Sequence, residues 1–155
     1  ARAVRGEPAL FHPPRRIDLS TVRLAFTEDF GQALVEQAVR RKFRVAVEAI
    51  SRHVARAEAA TPDVSGGDEA FEVLRSVMVI AAHGQKVKER PADCGPNLHA
   101  NVEEALRYSA EDVARASTAQ TRIYRGFQGF FARHDVLVTP AITCSPRPWR
   151  ELYPE

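Results

Sequence analysis

No run of ~18 apolar residues occurs in these 155 residues, so no segment reads as a transmembrane helix. The amino-terminal stretch lacks the apolar centre of a signal peptide, and a cytoplasmic location is expected. Cysteine is scarce. Cys94 and Cys144 stand far apart without CxxC spacing, which argues against a zinc site or a redox motif and leaves two free thiols as the expectation. An excess of one charge is missing too. Twenty-two basic residues face 20 acidic ones for a net +2, too even to point to nucleic acid or a membrane as partner. His12, His53, His83, His99 and His134 include no HxH or HxxxH pair, so no metal is expected. A GxSxG nucleophile elbow is absent. The one Gly/Ser-rich spot, Ser65-Gly66-Gly67, has neither the further glycines nor the lysine of a phosphate loop and reads as a helix start. No cofactor is expected.

What is present is ordinary for a globular protein: 45% apolar and 27% charged residues. The chain opens on Ala1 rather than Met, which is expected of a processed end or a cloning boundary. Pro8, Pro13 and Pro14 make residues 1–17 an extended arm. A single α/β domain is expected over 18–147, with a proline-rich tail at 148–155.

Val22–Phe26 alternates as a short strand does. From about Ala33 the period changes, and Val35, Val39, Phe43, Ala46, Val47 and Ile50 form the stripe of a helix ending near Ser51. The run Arg40-Arg41-Lys42-Phe43-Arg44 reads as that helix's solvated face. His53–Glu58 is predicted as a second strand, with helix continuation to Ala60 as the competing reading. Strand, helix and strand form a βαβ unit with a right-handed crossover expected.

Ser65 is expected to cap the next helix and Asp68 to favour its positive end. Its stripe is Phe71, Leu74, Val77, Met78 and Ala81, with Gly84 as the stop and a polar loop over 85–96. Asn97 is a candidate cap for a short helix burying Leu98, Val102 and Leu106. Ser109 and Asp112 form a capping-box pattern ahead of the longest helix, whose stripe is Val113, Ala116, Ile123, Phe127, Phe130 and Phe131. Val136–Thr139 reads as a buried strand ended by Pro140.

Little here suggests chemistry. His99 and Glu103 are one helical turn apart and read as a surface pair. A Ser109–His99–Asp112 triad is the one nucleophile arrangement left open, against the plainer reading of Ser109 and Asp112 as a cap.

Three stretches, DLSTVRLAFTEDFG, SAEDVARASTAQTRIYRGFQGFF and DVLVTPAITCSP, resemble in order and spacing the amidase signature family, over roughly residues 18–147. The resemblance implies an α/β fold, here a helix-rich part with a small parallel sheet of about three strands. Their expected order is the Val54 strand, the Val22 strand, then the Val136 strand. It implies a parent hydrolase that cleaves a small-molecule carboxamide with a serine nucleophile, a second serine in a cis peptide and a lysine relay. None of those catalytic residues has a counterpart here. Lys42, Lys86 and Lys88 fall in a helix face and a polar loop. The resemblance places Thr139, Pro140, Ala141 and Ile142 near a substrate channel, with plain core and loop as the competing reading. The chain would then be an internal piece without activity of its own, and its unsupported apolar edge would favour self-association. The alternative is a non-catalytic α/β binding or assembly module.

Overall fold

The computed structural model describes residues 16–151. Most of the expected arm (1–15) and the end of the tail (152–155) therefore lie outside the described residues. The chain divides into two compact units, one holding residues up to 28, 34–59 and 134 onward, the other 29–33 and 60–133. Among the described residues, no helix is long and apolar enough to cross a membrane.

The first unit is a parallel sheet with one helix in its connection. Asp18 accepts the Ser20 N–H at 2.9 Å and fixes the turn Leu19–Thr21 that leads into β1, Arg23–Phe26. Helix α1 (Gln37–Ser51) follows, then β2 (Arg56–Ala59), and much later β3 (Val136–Val138). The order is β2-β1-β3 and both pairings are parallel. This is the α/β architecture and strand order expected above. Consecutive strand residues face opposite sides of a sheet. In β1 both Leu24, 2% exposed, and Ala25 are buried, as a central parallel strand requires. Leu24 stands in register with Ala57 on one side and Val136 on the other.

Asp135 fastens the start of this sheet. Its Oδ2 accepts from the Arg23 backbone N–H at 2.8 Å and from Nε at 3.0 Å, while Oδ1 accepts from Nη2 at 2.8 Å. Those Arg23 hydrogen bonds hold the Asp135 carboxyl down to a pKa of about 2. His134 is 5% exposed, and its Nε2 lies 2.8 Å from Oε1 of Glu58 in β2.

Two boundaries differ from expectation. Helix α1 begins at Gln37 rather than near Ala33, because Glu36 is extended and donates its N–H to the Thr143 carbonyl at 2.8 Å. Strand β2 begins at Arg56, since residues 53–55 turn the chain out of α1 and the Ala55 and Arg56 amides both donate to the Val22 carbonyl.

The second unit is helical: α2 (Gly67–Val79), a π-turn segment (Ile80–Gly84), α3 (Gln85–Glu89), α4 (Pro96–Ala105) and α5 (Ala110–Phe131). Its core joins Ala70 and Val73 of α2 to Ala116 of α5, flanked by Leu74, Tyr108, Val113 and Ala119. Small side chains let the two helices approach closely. That contact sets the phase of α2, which buries Ala70, Val73 and Ser76 and leaves Phe71 65% and Met78 72% exposed. Of the apolar stripe read from the sequence, Leu74 packs against this core, whereas Phe71, Val77 and Met78 are turned away from the buried face.

Other helix ends also depart from the expectation. Ser65 does not cap α2. Gly66 occupies the cap at φ 70°, a left-handed conformation that suits glycine. Ser65 instead donates its hydroxyl to Asp63. Asp68 and Glu69 do occupy the first turn of α2. Gly84 is helical at φ −56° and does not stop the chain, so 85–89 is helix rather than loop. Gly95 with Pro96, not Asn97, opens α4, and Ala105 takes the buried place expected of Leu106. The capping box of α5 is complete: Asp112 N–H donates to Ser109 Oγ at 3.1 Å, and Ser109 N–H donates to Asp112 Oδ2 at 2.7 Å.

Candidate functional site

In a parallel sheet the connections beyond the carboxyl ends of the strands are where ligands usually bind. Here that edge holds Thr27 and Glu28 after β1 and Thr139–Pro146 after β3. The Thr27 N–H donates to the Val138 carbonyl at 3.1 Å and closes the ladder between them.

Glu36, at the start of α1, ties the second of these loops down. Besides its N–H bond to Thr143, its Oε2 accepts the Ser145 N–H at 2.6 Å. The Ser145 amide, with a smaller effect of the nearby Arg147 and Arg41 cations, holds the Glu36 carboxyl below the usual carboxylate range. A lowered carboxyl stabilises the fastened loop above the ordinary carboxylate pKa and loses that effect as pH falls through the lowered value. Glu36→Ala is expected to speed amide hydrogen exchange at Ser145 by roughly tenfold while leaving the strand amides unchanged. Unchanged exchange at Ser145 would show that the loop is held by other contacts.

With the loop so fixed, a cleft of about 540 Å³ opens between it and α1. Pro140, Ala141 and Ile142 form one wall, and Ala38, Val39 and Phe43 the other. Arg41 and Lys42 also line it. Its size lies within the range of small-molecule sites. Of the four residues that the resemblance placed near a substrate channel, Pro140, Ala141 and Ile142 line this cleft. Thr139 is exposed and outside its lining.

The basic run on α1 is not uniformly solvated. Arg40 donates from Nη1 to Glu28 Oε2 at 2.7 Å, and Arg44 donates to both Glu28 oxygens, at 2.5 and 3.0 Å. Arg40 and Glu28 are both largely covered. The two guanidiniums pull the Glu28 pKa down to about 2, so Glu28 is a fixed anion and a poor proton donor near neutrality. This carboxylate was not singled out in the sequence, where nothing in TEDFG shows that it meets two arginines a helix away.

The open triad does not form. Ser109 and Asp112 are engaged in the capping box. His99 Nε2 lies 2.9 Å from the Pro91 carbonyl. Glu103 pairs with Arg107 at 3.4 Å instead of with His99. Both cysteines are free thiols.

No family model and no curated protein matches the sequence. Among solved structures, the crystal structure of a bacterial aryl acylamidase belonging to the amidase signature family is similar in fold. The TM-score is 0.72 at 17% identity, over 84% of this chain and 29% of that one. The present chain thus spans under a third of that enzyme's length, and at this identity the likeness is one of fold.

Proposed function

We propose that this chain is the substrate-side part of an amidase-signature hydrolase that cleaves carboxamide C–N bonds, and that it does no chemistry alone. The single observation that supports this most is the fold likeness to the aryl acylamidase over 84% of the chain. Amide hydrolysis requires a nucleophile to add to the carbonyl, a relay to take and return its proton, and donors for the oxyanion. In this chain Ser109 is taken up by a helix cap and Glu28 by two arginines. What the chain offers is a shaped apolar cleft beyond β3, suited to holding a substrate's non-reacting body while a nucleophile elsewhere in a longer polypeptide does the chemistry.

Aryl acylamide turnover tests this. The 155-residue chain is expected to release no arylamine above the buffer rate from an acyl nitroanilide, whereas the longer protein encoded by its gene releases it steadily. Turnover by the chain alone would overturn the division of labour. No turnover by the longer protein across a panel of amides would favour the non-catalytic module.

A further inference from the structure

We infer that the cleft between α1 and the loop after β3 binds an amphipathic small anion: an aryl or alkyl body lying on the apolar walls, ending in a carboxylate at Arg41 and Lys42. On α1, Ala38, Lys42 and Ala46 succeed one another a turn apart and all line the cleft. The alanines are small and leave a hollow on either side of the lysine stem. Val39 and Phe43 form the neighbouring row, and Ile142 approaches from the loop with more than half of its surface exposed. This apolar hollow gives a hydrocarbon body somewhere to shed water.

Charge selects the other end. The lining contains Arg41 and Lys42 and no carboxylate. Their neighbours in the same run, Arg40 and Arg44, are already engaged by Glu28. Lys42 makes no ion pair among the described residues. Glu36 feels the Arg41 cation, but one of its oxygens is taken by the Ser145 N–H. A neutral occupant would fill the hollow but leave both cations to water, whereas a carboxylate gains attraction from each. The inference rests on the preceding reading only in taking the occupant for the substrate; binding itself does not require it.

The test titrates isotope-labelled chain with phenylbutyrate and, in parallel, with its neutral isostere phenylbutyramide, following backbone amides by NMR. Shifts are expected at Ala38–Ala46 and at Ala141 and Ile142. The carboxylate should bind roughly tenfold more tightly than the amide at low salt, and this preference should shrink toward unity at ~0.5 M salt. The pair Arg41→Gln and Lys42→Gln should abolish the preference with an unchanged melting temperature, since both side chains are exposed. Equal affinity for the two ligands, binding away from the cleft, no binding of either at millimolar concentration, or a preference that survives the double substitution would each overturn the inference. Carboxylate binding at the cleft alongside a longer protein that hydrolyses no amide would sink the hydrolase reading and leave the cleft assignment standing.

Discussion

Leu24→Ala is expected to destabilise the first unit by about 3 kcal/mol, and by up to about 5 if the hole does not collapse. Leu24 is the only large side chain that is fully buried among the described residues. It sits in the central strand, flanked in register by Ala57 and Val136, neither of which can swell to fill the gap. A small domain has about 5–15 kcal/mol in hand, so this single truncation removes a large share of it. Urea denaturation measures the loss directly. Hydrogen exchange locates it, because the amides of Arg23–Phe26 should lose protection first. A cost under about 1 kcal/mol would mean that β1 is not the centre of the sheet.

Val73→Asp should cost at least as much in the second unit, about 3–5 kcal/mol, because it puts an unpaired carboxylate among Ala70, Ala116 and Val113. Phe71→Asp, two residues away, is the informative control. Phe71 is largely exposed, and its replacement should change stability by no more than ~0.5 kcal/mol. The sequence periodicity expects the reverse ranking. The denaturation midpoints of the two variants therefore decide which face of α2 is core.

That reversal shows how far the sequence could be read. The strands at Val22–Phe26 and Val136–Val138 were legible, the first from its alternation and the second from its apolar run, and their order followed from the resemblance. That run reads as buried, however, whereas β3 lies at the edge of the sheet with Val136 40% exposed. Helix α5 was legible at its start, where Ser109 and Asp112 announce the cap. The phase of α2 was not, because counting apolar residues treats Phe71 and Met78 as core. The partner helix instead selects Ala70 and Val73, small enough for close approach. Nor could Gly84 be seen to sit inside helical structure, since its φ is set by what precedes and follows it.

The site divides in the same way. The resemblance of DVLVTPAITCSP to a known family drew attention to Thr139–Ile142, of which Pro140, Ala141 and Ile142 line the cleft. The groups that shape their loop could not. Glu36 reaches Ser145, and Glu28 reaches Arg40 and Arg44, through space rather than through any local pattern, and contacts of that kind leave no mark on composition or spacing. The basic run on α1 looked uniform in sequence, yet the fold divides it into arginines engaged by Glu28 and the Arg41–Lys42 pair that lines the cleft.

The most direct measurement is to sequence the gene upstream of the codon for Ala1. The account predicts a reading frame that continues upstream through a lysine-bearing segment and a Gly/Ser-rich stretch with two serines, the catalytic parts that the resemblance implies and that have no counterpart in this chain. A frame that opens within a few codons of Ala1, or one that continues without those serines and that lysine, would contradict it.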